Sequence, residues 1–319
     1  MTNKFYIEGT HGIIGATGGY GNALAMDLNE AGNHVVAIVR NRHKAENILP
    51  GDIEIRESDI LNQEDVKESL KGVNFIYVGF NFSYGSWDKY YEAIDGVIKA
   101  AVSNKSTIIF PGNVYGYGKF SYIPVDENHP LNSKGKKGKI RNEIEKMLID
   151  QAKSGKIKLI LPRFADFYGP NVTNALYGAM FYNAIENKKP LWPINADVPH
   201  MFTYIKDASR ATLMLVSKGI TDGGVYHISG NQITAREFIK MIFGELNRKE
   251  RIKVVSETTL KFLSFFNSDI RELKELFYEY SEPYILSDSK FRAVFNNFEY
   301  TPYEIGIRET LDWFHKHVS

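Results

Sequence analysis

The sequence has no cysteine among its 319 residues. That absence excludes a disulfide framework, a thiolate nucleophile, cysteine-bound zinc and iron–sulfur ligation. An excess of either charge is missing as well: 39 Lys and Arg face 38 Asp and Glu, a formal net charge of +1. No global field therefore draws the chain to nucleic acid or to an acidic membrane. Long apolar runs are absent. The longest uncharged run, Phe167 to Ile185, contains Pro170, two glycines and three asparagines, and makes a poor membrane span. The opening Met1-Thr2-Asn3-Lys4-Phe5-Tyr6 lacks the apolar stretch of a secretory signal. The expected compartment is the cytosol, with no membrane partner.

What is present is a long, aromatic-rich chain. Phe, Tyr and Trp make up 13% of it, which argues for a packed globule. In the first half, apolar runs alternate with helical patterns. Strands are expected at His34–Val39, Asp52–Arg56, Val73–Val78, Ser106–Phe110 and Lys156–Leu161. Helices are expected at Gly21–Ala31, Gln63–Lys71, Trp87–Val102 and Lys139–Ala152, with Asn62 capping the second. Such alternation predicts a doubly wound parallel α/β sheet with helices on both faces. The first strand, near His11–Gly15, is short, and Phe5–Ile7 either extends it or forms a separate arm.

The second half loses the alternation. Thr234-Ala-Arg-Glu237 and Thr301-Pro-Tyr-Glu304 read as capping boxes, so helices are expected from Ala235 and Pro302. Two more are expected near Thr258–Phe266 and Ile270–Tyr280. The expected division is 1–165 as a dinucleotide-binding domain and 166–319 as a smaller, mostly helical substrate lobe, partly interleaved with the sheet.

Gly15-Ala-Thr17-Gly18-Gly19-Tyr20-Gly21 lies between a strand and a helix, inside one βαβ unit. Glycines at this spacing let a pyrophosphate approach backbone amides at the positive end of a helix. The alternative is a tight structural turn. The second strand ends at Arg40, within the cluster Arg40-Asn41-Arg42. An Arg at this place accommodates a 2′-phosphate, which favours NADP over NAD.

With these residues in view, the chain resembles the extended, atypical short-chain dehydrogenase/reductases of the NAD-dependent epimerase/dehydratase family. The resemblance runs nearly end to end. Gly15–Gly21 resembles the family's glycine motif, Asp59-Ile60 its adenine-contacting pair, and Gly79-Phe80 the strand end that touches the ribose. Val114-Tyr115-Gly116, Pro124-Val-Asp-Glu127, Arg163-Phe-Ala-Asp166-Phe-Tyr-Gly-Pro170 and His200-Met-Phe-Thr-Tyr-Ile-Lys-Asp207 resemble further motifs in the family's order. The fold implied is Rossmann-type, and the implied assembly is a homodimer through two long helices.

Two departures qualify the implied chemistry. Pro111 stands where the family has a catalytic Ser or Thr. Gly135 stands where it has a catalytic Tyr, while Lys139 keeps the place of the following Lys. The usual general acid/base is thus missing. Lys139, Tyr115 and Asn113 are the candidate catalytic groups. Lys139 is also the implied nicotinamide-ribose ligand, and Arg163 is a candidate cofactor contact. Arg141 and Arg163 are each able to meet an anionic substrate group. Tyr84, Tyr117 and His200 are the substrate candidates, although aromatic wall and core readings remain open for them. The basic run Lys134–Arg141 lacks interleaved aromatics and reads as a loop entering a helix near cofactor phosphates, not as a nucleic-acid patch. No metal site is expected.

The implied function is an NAD(P)-dependent oxidoreductase or epimerase-like enzyme acting on a small carbonyl or sugar-derived substrate. The alternative is a non-catalytic NADP(H)-binding sensor or interaction protein. A binding module with a purely structural glycine turn is the third reading.

Overall fold

The computed structural model describes residues 5–174 and 176–318, and only the backbone of Tyr84, Ser268 and Asp269. Strand β1 (Thr10–Ile14) passes through the glycine turn into helix α1 (Gly19–Glu30) and strand β2 (His34–Val39). Helix α2 (Arg42–Glu46), strand β3 (Glu54–Glu57), helix α3 (Gln63–Ser69) and strand β4 (Phe75–Val78) follow. A 3-10 turn at Tyr84–Lys89 leads into helix α4 (Tyr90–Asn104), strand β5 (Thr107–Ile109), helix α5 (Lys136–Lys153) and strand β6 (Lys158–Phe164). Next come β7 (Asp166–Tyr168), α6 (Tyr177–Ile185), β8 (Leu191–Pro193), β9 (Pro199–Tyr204), α7 (Ile205–Ser217) and β10 (Asp222–Ile228). The chain ends with β11 (Gln232–Thr234), α8 (Ala235–Glu245), β12 (Lys253–Val255) and five helices. These are α9 (Glu257–Leu263), α10 (Ser268–Leu273), α11 (Tyr278–Ser281), α12 (Ser289–Val294) and α13 (Tyr303–His317).

The main sheet runs β10-β6-β5-β4-β1-β2-β3, and β1 to β6 pair in parallel. Order 3-2-1-4-5-6 is the doubly wound dinucleotide-binding arrangement, and it reverses direction between β1 and β4. The expected strands and helices of the first half are present, with ends shifted by a few residues. The strands are buried on both faces: Ile13, Val36, Ile76, Ile108 and Leu159 are fully covered. Asn62 caps α3 by accepting from the amides of Glu64 and Asp65 at 3.0 and 3.3 Å. Phe5–Ile7 is an arm outside the strand. Asn33 ties it down, accepting from Ile7 N at 2.7 Å and donating to Phe5 O at 2.9 Å.

The chain divides into two units that interleave in sequence instead of meeting at one boundary. One comprises the chain up to Gly112 with Ile140–Arg163 and Ala208–Tyr226. The other comprises Asn113–Lys139, Phe164–Asp207 and the chain from His227 onward. Helix α5 passes from the second unit into the first between Lys139 and Ile140. The second unit packs an aromatic core of Tyr168, Phe181, Trp192, Phe202, Phe238 and Phe314, among others. Its small sheet runs β11-β9-β7.

Both caps expected in this half can be checked. Thr234 forms its capping box with Glu237. Thr301 does not: its amide and hydroxyl bond to Asp207 at 2.7 and 2.8 Å, and α13 starts at Tyr303 after Pro302. A buried carboxylate needs donors more than the helix end needs a cap, because the exposed helix amides have water.

Candidate dinucleotide site and buried side-chain pairs

The glycine turn is closed by backbone against backbone. Gly15 has φ +79°, and its amide donates to Ile38 O at 2.9 Å. A Cβ there would stand 2.9 Å from Phe80 N. One on Gly21 would collide with Gly15 O, and one on Gly79 would meet Ile14 O at 2.9 Å. Gly79 N also donates to Ile14 O at 2.8 Å. The ends of β1 and β4 and the start of α1 thus meet at the reversal point of the sheet. Gly18 differs. Its nearest neighbour to a Cβ would be Gly15 O at 3.5 Å, and it gives α1 no side-chain cap. Gly18 is exposed and puts no side chain of its own before the positive end of α1. Gly19 lies in the same turn, half-buried, as does Thr17.

Tyr20 follows, but its side chain points inward. It is 7% exposed, and its hydroxyl is 2.9 Å from Thr212 Oγ1. Burial raises its pKa above the ordinary phenol value. Tyr20 therefore brings backbone and not its ring to the turn. Arg40 is exposed just after β2 and makes no ion pair or hydrogen bond among the described residues. Its neighbours are committed: Arg42 donates to Ile55 O at 2.6 Å, and Asn41 caps α2. Asp59 is exposed at the end of β3, with Oδ1 accepting from Leu61 N at 3.0 Å, and Ile60 is buried beside it. Phe80 stacks on Tyr90, with ring centres 5.6 Å apart.

Arg163 is buried and paired with Glu145, also buried, so its charge is neutralised inside the protein instead of facing a ligand. Arg141 differs from it. Its guanidinium lies 4.8, 5.5 and 5.9 Å from the ring centres of Phe110, Tyr90 and Trp87, and it donates to Pro111 O at 2.7 Å. Sequence reasoning missed Glu145 altogether. The signal was the four-residue spacing of Lys137, Arg141 and Glu145, which puts three charges on the buried stripe of α5.

In the second unit, Lys139 is exposed on α5. The buried lysine is Lys137, whose Nζ donates to Glu272 Oε2 at 2.6 Å and Glu275 Oε1 at 3.0 Å. A Cβ on Gly135 would stand 2.5 Å from Glu275 Oε2, so a side chain there would have to displace the Glu275 carboxylate. Asn113 accepts from Tyr115 N at 3.2 Å, and both residues are half-buried. Tyr117 is a core residue: it is 1% exposed, with its hydroxyl 2.6 Å from His227 Nε2. His200 is likewise enclosed, 2.9 Å from Asp166 Oδ2 and stacked on Tyr284. Both polar tips thus have a partner inside the core, as buried Tyr and His usually do. The side chain of Tyr84 lies outside the described residues.

Residues 15–112 match the family described as NAD(P)H-binding. The whole chain shares its fold with nucleotide-sugar enzymes at low sequence identity. A dTDP-glucose 4,6-dehydratase from Bacillus anthracis, solved with NAD, is 17% identical over 97% of both chains, with a TM-score of 0.80. An epimerase from Methanothermobacter thermautotrophicus is 16% identical over 99% of this chain and 94% of its own, at 0.82. A UDP-N-acetylglucosamine 4-epimerase from Methanobrevibacter ruminantium M1 is 16% identical over 98% and 100%, at 0.80. A comparison with curated proteins gives no match. The matched stretch begins at the glycine turn that the sequence motif marked. Among the described residues, no helix is long and apolar enough to cross a membrane.

Proposed function

We propose that the protein is an NAD(P)-dependent oxidoreductase or epimerase-like enzyme for a small carbonyl or sugar-derived substrate. The observation that carries this reading is the glycine turn, closed backbone to backbone at Gly15, Gly21 and Gly79 with Gly18 exposed, at the sheet's reversal point. The cofactor's place fits a pyrophosphate, because the helix end offers positive charge without a side chain in front of it. A nicotinamide held there supplies hydride exchange. Arg40, exposed and unpaired, favours NADP by meeting its 2′-phosphate. Asp59-Ile60 and Gly79-Phe80 are assigned to the adenosine and ribose, as the resemblance implies. The substrate class is suggested by the dehydratase and epimerases of like fold.

The acid/base chemistry departs from the resembled family. Pro111 and Gly135 offer neither hydroxyl nor phenol. Tyr115 is assigned to proton transfer, Asn113 to hydrogen bonding of the substrate oxygen through its amide nitrogen, and Lys139 to positive charge at the ribose. Screening NADPH oxidation against carbonyl compounds and nucleotide sugars tests the reading. Turnover of one class supports it. Tight NADPH binding without turnover on any member supports the second reading, a dinucleotide sensor, which Pro111 and Gly135 in place of the family's Ser and Tyr favour.

A further inference from the structure

Two buried arginines of the first unit differ in their partners: Arg163 has Glu145. Arg141 is 7% exposed, and no acidic side chain among the described residues pairs with it. Its Nη2 donates to Pro111 O, and among the described residues its buried Nε–H has no acceptor and its Nη1 makes no hydrogen bond. Three rings surround the group: Phe110, Tyr90 and Trp87. Such contacts offset part of the desolvation cost of a cation but do not neutralise it.

The place of this cation matters. Phe110 and Pro111 follow β5, and Phe80, which stacks on Tyr90, follows β4. Both are carboxyl ends of adjacent central strands, where open α/β sheets receive ligands. Phe80 in turn packs against the glycine turn, since a Cβ on Gly15 would meet its amide at 2.9 Å. Tyr90 and then Phe80 thus link the guanidinium to the dinucleotide turn.

We infer that Arg141 is the receptor for a carboxylate group of the substrate. This rests on the proposed dinucleotide site for its meaning as a substrate contact, and it narrows the substrate to a carbonyl compound bearing a carboxylate. A monoanion is the class that fits. One carboxylate cancels one guanidinium, whereas a phosphate dianion leaves net negative charge against the electron-rich faces of three rings.

The test uses the full chain without cofactor. Acetate, acetamide and inorganic phosphate are titrated at constant ionic strength, reading tryptophan fluorescence, which includes Trp87 in the collar, and melting temperature. The expected result is a saturable response to acetate, none to acetamide, and loss of the acetate response in Arg141→Met. A flat acetate titration, an equal response to acetamide, or a response that survives in Arg141→Met overturns the inference. Saturable phosphate binding without acetate binding overturns the carboxylate class. If Arg141→Met does not fold, the contrast between acetate and acetamide on the native protein decides. NADPH titration of the same preparation is read separately. Its failure overturns the proposed function, whereas a flat acetate titration beside normal NADPH binding overturns this inference alone.

Discussion

A Cβ on Gly21 would collide with the carbonyl oxygen of Gly15, whereas one on Gly18 would keep 3.5 Å from its nearest neighbour. The two glycines therefore do different work, one packing the turn and the other leaving room in front of α1. Gly21→Ala should cost about 2–3 kcal/mol of stability through overpacking against backbone. Gly18→Ala should melt like the native protein yet bind NADPH at least about tenfold more weakly, because its methyl occupies the ligand's approach. Thermal melting and NADPH titration of both variants check this. A Gly18→Ala protein with native affinity contradicts it.

Arg40→Ala should weaken NADPH by about tenfold, the scale of one charge-assisted hydrogen bond to phosphate. NADH affinity should barely change, since that cofactor has no 2′-phosphate. Parallel titrations with the two nucleotides check this, and an equal loss for both shows that Arg40 does not select the cofactor.

The fold was legible because its signals are local and repeated. Apolar runs at β2 and β4, the Asn62 cap and the glycine spacing each point to the same parallel sheet, and strand order followed. Helix α5 was less legible. Five basic residues in eight read as a loop entering a helix near cofactor phosphates, but the helical period turns Lys137, Arg141 and Glu145 inward and leaves Lys139 exposed. Lys137 pairs with Glu272 and Glu275, and Glu145 with Arg163, contacts that no local pattern announces. Tyr117 and His200 illustrate the same limit. Their polar tips are satisfied by His227 and Asp166, contacts 110 and 34 residues away that no local pattern announces.

Glu145 and Arg163 form a buried pair, each less than one-twentieth exposed as whole residues. Arg163→Met leaves the carboxylate unpaired and should cost about 3–5 kcal/mol. The double variant Arg163→Met/Glu145→Leu should recover most of that loss, because it removes both charges. Chemical denaturation of the single and double variants checks this. A single variant as stable as the native protein contradicts it.

Glu279 is 2% exposed, and among the described residues neither carboxylate oxygen has a hydrogen-bond partner. Burial, with Asp166 nearby, pushes its pKa well above the ordinary carboxyl value. The native state therefore holds a proton that the unfolded chain releases at lower pH. Its contribution is fully present below the ordinary glutamate range and is lost as pH rises above it. The slope approaches about 1.4 kcal/mol per pH unit until the native group ionises. Glu279→Gln should flatten that decline and be the more stable protein at alkaline pH. Denaturation curves across pH check this, and parallel profiles for both proteins contradict it.

The most direct measurement is calorimetric titration of the purified protein with NADP+, NADPH, NAD+ and NADH. The account predicts saturable one-site binding, tightest for the NADP(H) pair. A flat titration with all four nucleotides contradicts it.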